Sequence, residues 1–162
     1  MESALFEQLY QRYYTQLFLY AFSLTHRRAD AEDLTANTFV KALTTFETGN
    51  VQAWMYTVLR NEFFDLQKRH KHIVSLEDEA LQNLPGTEDV WQQFLADERR
   101  RWLYQQISGL PRQEREVLLL TVQTDYPDAQ IAAILGTTAE NVRVLRHRGK
   151  KHILEHAQEG EP

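Results

Sequence analysis

Hydrophobic positions recur along the chain with helical spacing. Leu5, Leu9, Tyr13, Leu17 and Ala21 form an i, i+4 ladder, and Phe6, Tyr10, Tyr14, Phe18 and Phe22 run beside it. Together they predict a first helix with a broad apolar face. A second helix is expected over 29–45, with Asp30, Glu32 and Asp33 in its first turn, where carboxylates complement the positive end of the helix dipole. The Thr48-Gly49-Asn50 turn closes that unit and a third helix is expected over about 51–70. From Ile73 to about Thr87 the periodicity dissolves into Ser, Glu, Asp and a Pro85-Gly86 turn, which reads as an interdomain linker. Helical patterning returns over 88–107 (Val90, Trp91, Phe94, Leu95, Trp102, Leu103 and Ile107), stops at Gly109-Leu110-Pro111 and resumes over 112–123. No segment alternates apolar and polar residues over a strand's length, so the expected fold is all-α. It has two small helical domains, 1–72 and 88–162, joined by a flexible acidic linker over 73–87.

Composition narrows the function. The 162 residues contain no Cys, which excludes a disulfide framework, a thiolate metal site and a cysteine nucleophile. Apolar runs such as 117–120 are short, at most six residues, against the roughly 20 needed to span a bilayer. Residues 1–7 show no basic region followed by an apolar core, so no signal peptide and a cytoplasmic protein are expected. No Gly-rich phosphate loop or nucleophile elbow is present, and no enzyme activity or cofactor is expected. His147, His152 and His156 lie on a basic helix that would repel a cation, so no metal site is expected there.

The net charge of −5 argues against a nucleic-acid partner until it is divided along the chain. Residues 1–72 carry eight Lys/Arg and eight Asp/Glu, residues 73–98 carry seven acids and no Lys/Arg, and residues 99–162 carry ten basic and eight acidic residues. Where positive charge clusters matters more than the total. One cluster is Arg143, Arg146, Arg148, Lys150 and Lys151, and the other is the Lys-Arg-His-Lys-His run over 68–72.

The first of these clusters falls within a recognisable unit. A short helix holding Ile131, Ala132, Ile134 and Leu135 ends at Gly136, a natural position just past a helix C-terminus. Thr137 or Thr138 then caps a new helix carrying the cationic residues. This order predicts a helix-turn-helix, whose second helix enters the DNA major groove. Glu140, Asn141 and Arg143 sit early enough to read base edges, and Arg146, His147, Arg148, Lys150 and Lys151 suit phosphates or guanine edges. The competing reading is an ordinary helical hairpin with a solvated basic face.

Leu110-Pro111, Arg115-Glu116-Val117-Leu118-Leu119-Leu120, the run from Gln130 to Gly136, Asn141-Val142-Arg143 and His147-Arg148 resemble the −35-reading domain of extracytoplasmic-function sigma factors. These are the small, two-domain specificity subunits of bacterial RNA polymerase. Independently, Ala31-Glu32-Asp33-Leu34-Thr35 with Thr38-Phe39 resembles the family's polymerase-binding helix. Ala53-Trp54-Met55-Tyr56 with Arg60-Asn61 and Asp65 resembles its −10 helix. The resemblance implies promoter recruitment, with core RNA polymerase and promoter DNA as partners and an anti-sigma protein restraining the free form.

By the same resemblance, Asp30, Glu32, Asp33, Leu34, Asn37 and Phe39 would contact the polymerase. Phe46, Thr48, Gly49 and Asn50 would receive a flipped base, and Arg60, Asn61, Phe64, Lys68 and Arg69 would hold the melted strand. Thr138, Glu140, Asn141 and the basic cluster would read the −35 duplex. Opening DNA exposes unstacked bases, which suits a basic track beside flat aromatic or amide groups. Trp54 and Tyr56 read more readily as core than as stacking groups, and of the adjacent Phe63 and Phe64 one is expected to be buried. Two departures stand out. Ala36-Asn37 replaces the family's usual Gln-Glu and so removes a polar contact. Pro127 occupies a position that often holds Ser, which loses a capping bond but is tolerated at a helix start. The acidic linker remains open between a solubilising spacer, a nucleic-acid mimic that threads the polymerase, and a segment that covers the basic helices of the free protein. An alternative overall reading is a stand-alone helix-turn-helix regulator, with 1–72 as its sensing or dimerisation module.

Overall fold

The computed structural model describes residues 2–69, 78–80, 94 and 96–160, with the side chains of 158–160 excepted. Among the described residues there is no strand, and seven helices divide between two compact units, 1–84 and 85–162. The linker residues 73–77 and 81–87, and the expected helical start over 88–93 with Leu95, lie outside the described residues. So do residues 70–72 of the second basic cluster.

The first unit contains α1 (Ser3–Thr25), α2 (Arg28–Thr45) and α3 (Val51–Arg69). Its core is markedly aromatic. The Phe39 ring of α2 meets Phe6, Tyr10 and Tyr14 of α1 at centroid distances of 6.2, 5.0 and 6.2 Å. Tyr20 of α1 meets Tyr56 of α3 edge-on at 5.2 Å. Such pairs add to the area they bury because ring edges and faces carry opposite partial charge. The buried face of α2 is Ala31, Leu34, Thr35, Thr38, Phe39 and Ala42, one helical stripe. Its two threonines are buried without orphaned hydroxyls, since Thr35 Oγ1 donates to the Ala31 carbonyl at 2.7 Å and Thr38 Oγ1 to Leu34 at 2.8 Å.

The α1–α2 corner turns through His26, a non-glycine residue in the left-handed region (φ 54°). The first backbone N–H groups of α2 lack an intrahelical partner, and its N-cap residue, Arg27, supplies no side-chain capping bond to them. A carboxylate from 51 residues downstream does so. Arg28 N–H donates to Glu79 Oε1 at 2.9 Å, and Glu79 N–H donates to the His26 carbonyl at 2.7 Å. Glu79 belongs to the acidic segment, yet it caps a helix of the first unit.

In the second unit, α4 (Glu98–Ser108), α5 (Arg112–Gln123), α6 (Asp128–Leu135) and α7 (Ala139–Gly160) pack around an aliphatic core. Asp97 caps α4 by accepting from the Arg99 and Arg100 N–H groups at 2.9 and 3.1 Å. The bond from the Arg100 backbone, chiefly, holds its carboxyl below the usual range. The central helix, α5, buries the run from Glu114 to Leu120, and its buried Glu114 meets His152 Nδ1 of α7 at 2.6 Å. The α5–α7 crossing is close at Gly149, where a Cβ would stand 2.7 Å from Leu118 Cδ1.

Candidate nucleic-acid interface

The α6–α7 junction forms by local chemistry. Pro127 opens α6 with no side-chain capping bond and Asp128 occupies its first turn. Gly136 closes it in the left-handed conformation (φ 66°), which costs a residue without Cβ little. Thr137 N–H then reaches the Ala132 carbonyl at 2.9 Å. Of the two candidate caps, Thr138 performs the role, its Oγ1 accepting from Asn141 N–H at 3.1 Å. Asn141 Nδ2 in turn donates to Thr137 Oγ1 at 2.9 Å.

Val142, Leu145 and Gly149 of α7 are buried. The opposite face exposes Glu140, Arg143, Val144, His147, Arg148, Lys150 and Lys151, four of them Lys or Arg. Arg146 departs from this pattern. Only 18% of its side chain is exposed, against 60% for Arg143. It turns back to Asp128 Oδ1 at 2.7 Å and donates from Nε to Thr121 Oγ1 of α5 at 3.1 Å. Arg146 thus holds an internal position here, linking α5, α6 and α7. Arg143 reaches the same carboxylate at 3.6 Å. The Arg146 hydrogen bond, above all, keeps the Asp128 carboxyl below the usual range. His152 and His156 do not converge on a ligand set, since His152 is committed to Glu114, and the described residues include no group of three or more ligating side chains.

On the first unit, Phe46 and Trp54 bring their rings within 5.5 Å where the α2–α3 loop meets α3. Thr48, Gly49 (φ 107°) and Asn50 are exposed in that loop. Asn50 Oδ1 accepts from Ala53 N–H at 3.0 Å, so Asn50 caps α3 as well as lining the loop. Beyond it, Asn61 and Lys68 follow Trp54 at seven-residue intervals and share its face. The Arg60 guanidinium lies 4.7 Å from the centre of the half-buried Phe64 ring, and Lys68 and Arg69 are exposed in the last turn. Tyr56 and Phe63 are buried, and Trp54 is half-buried.

The α2 residues separate into two sets. Asp30 and Asp33 are exposed, Glu32 pairs with Arg28 at 2.8 Å and Asn37 Nδ2 donates to Glu62 of α3 at 3.4 Å. Leu34 and Phe39 are 3% and 1% exposed. Both lie inward: Phe39 meets the α1 rings, and the helical phase that buries Thr35 and Thr38 buries Leu34 too. An exposed residue was missed. Val40 is 57% exposed and follows Asp33, Ala36 and Asn37 along one stripe. Removing the core-facing positions from α2 leaves it in view.

This pairing of a three-helix unit with a helix-turn-helix unit is a bacterial promoter-specificity architecture. Residues 9–73 match the family described as Sigma-70 region 2, and residues 100–153 match Sigma-70, region 4. The chain is 29% identical to the RNA polymerase sigma factor YlaC of Bacillus subtilis over 91% of this chain and 88% of that one. It is 30% identical to the ECF RNA polymerase sigma factor EcfG of Rhodopseudomonas palustris, over 83% of this chain and 76% of that one. Among solved structures it matches the sigma factor RpoE of Bartonella quintana, in a complex with the anti-sigma factor NepR, with TM-score 0.63, 26% identity and coverage of 93% and 94%. The chain belongs to the extracytoplasmic-function sigma factors. It directs RNA polymerase to promoters, and the stand-alone regulator is not favoured. No helix of the described residues is long and apolar enough to cross a membrane.

Proposed function

We propose that the two units divide promoter recognition between a melted strand and a duplex. The exposed cationic face of α7 opposite its buried Val142, Leu145 and Gly149 carries this reading. In this reading α7 lies in the −35 major groove. Thr138, Glu140, Asn141 and Arg143 present their helix turn to base edges, and His147, Arg148, Lys150 and Lys151 hold the backbone. The loop from Phe46 to Asn50 takes an unstacked −10 base beside Trp54, with Arg60, Asn61, Phe64, Lys68 and Arg69 along the strand. The half-buried rings of Phe46, Trp54 and Phe64, the last beside Arg60, support this, because stacking accepts any base and cations track phosphates.

Asp30, Glu32, Asp33 and Asn37, extended by Val40, form the polymerase-docking face, which Leu34 and Phe39 support from beneath. The protein acts in the cytoplasm by recruitment, without catalysis of its own. An anti-sigma protein restrains it, a reading supported by the complex in which the Bartonella relative was solved.

The test is reconstitution of the full chain with core RNA polymerase and a pool of promoter fragments. Initiation at a defined subset of fragments, dependent on the added chain, is expected. A stable complex that initiates without sequence preference would remove the DNA-reading roles, and failure to form a complex would remove the docking face.

A further inference from the structure

The geometry points to Asp128, on the helix before the recognition helix, as a positioning residue that sets base specificity through Arg143. This rests on the reading of α7 as the −35 helix. Four side chains from three helices form a chain: Thr121 of α5 accepts from Arg146, Arg146 binds Asp128 at 2.7 Å, and Asp128 lies 3.6 Å from Arg143. The inner links are half-buried and the last is exposed. Arginine carries substantial rotamer entropy, but its planar fork loses less per bond once it is pre-oriented. Asp128 supplies that orientation, and Arg146 keeps Asp128 from swinging with its client. Arg143, in the second turn of α7, then meets DNA already partly ordered, as a supporting shell does for any precise contact.

The same carboxylate puts a negative charge close to the DNA-facing surface, where it repels phosphate. Asp128 therefore lowers affinity for arbitrary DNA while sharpening affinity for the correct sequence. These opposite signs separate positioning from a merely structural role. Loss of a helix-packing ion pair would weaken binding to every sequence alike.

The test uses the full chain with core RNA polymerase and a promoter library randomised across the −35 element, read by sequencing the bound fraction. The R143A variant first identifies the base pair that Arg143 reads, where a bidentate contact gives about 5- to 150-fold discrimination. D128N is expected to reduce discrimination at that pair about five-fold or more, with binding to scrambled −35 fragments unchanged or raised. D128E is expected to restore most of the preference. Should D128N fold poorly by circular dichroism, D128S, with a residue suited to helix starts, replaces it. Discrimination at the Arg143 pair kept within about two-fold would overturn the proposal, as would an equal loss at all positions. If the wild-type complex itself showed no −35 preference, the reading of α7 would fall and the proposal with it.

Discussion

On α3 the half-buried Arg60 lies over a ring, whereas on α7 the exposed cations stand without rings and one of them, Arg143, is backed by a carboxylate. Arg60 lies over Phe64 and Trp54 meets Phe46 in the first unit. In the second, Arg143 and Arg146 share Asp128, and the exposed face around Arg143 is largely cationic, with Val144 its apolar member. The contrast extends inward, to an aromatic core around Phe39 and an aliphatic one around α5. A ring surface binds bases that have left the stack, while oriented guanidinium groups suit the ordered edges of a duplex. The difference teaches that cationic side chains in two settings can serve two physical states of the same DNA.

The largest expected effect tests the two cores. Phe39→Ala removes the ring that three α1 aromatics surround and should cost about 3–5 kcal/mol. Urea unfolding followed by circular dichroism should show the loss in one part of the transition, with the melting of α5–α7 unmoved. A uniform shift of the whole transition would mean that the units do not unfold independently.

Next come the faces themselves. Phe64→Ala should weaken binding to a premelted −10 strand by about 1–3 kcal/mol, the range for one stacked base. It should leave a −35 duplex unaffected. Arg143→Ala should cost about 1–3 kcal/mol concentrated at one −35 base pair. Fluorescence anisotropy on the two DNA forms, with polymerase present, separates them.

Helix caps give a smaller effect and compare local with distant capping. Thr138→Ala should destabilise the second unit by about 0.5–2 kcal/mol, the usual cost of a lost cap. Glu79→Ala should destabilise the first unit by a similar amount, and more in low salt, since its carboxylate also meets the α2 dipole. Thermal melts at two ionic strengths check both.

The smallest effect is that of Lys150→Ala. It should weaken −35 binding evenly across sequences and reduce the salt dependence by about one phosphate's worth of counterion release. A sequence-dependent loss would instead make Lys150 a base reader.

Much of this was legible in the sequence, for physical reasons that also mark where legibility stops. The first helix announced itself through aromatic residues repeated every four positions, and the α6–α7 turn through Gly136 followed by threonines, because both signals are local. The burial of Leu34 and Phe39 was not read, since a motif marks a position without saying which side of the helix it faces. Periodicity through Ala31, Thr35, Thr38 and Ala42 resolves it only once small threonines are counted as core. The inward turn of Arg146 depends on where α6 crosses α7, which no spacing within α7 discloses. The Glu79 cap joins residues 51 apart, and one carboxylate in an acidic run carries no mark of its partner.

The most direct test of the division of labour is base-resolved promoter selection with core polymerase, comparing wild type, Phe64→Ala and Arg143→Ala. The account predicts that each substitution flattens preference in one element only: −10 for Phe64→Ala and −35 for Arg143→Ala. Flattening of the same element by both, or of neither, would contradict it.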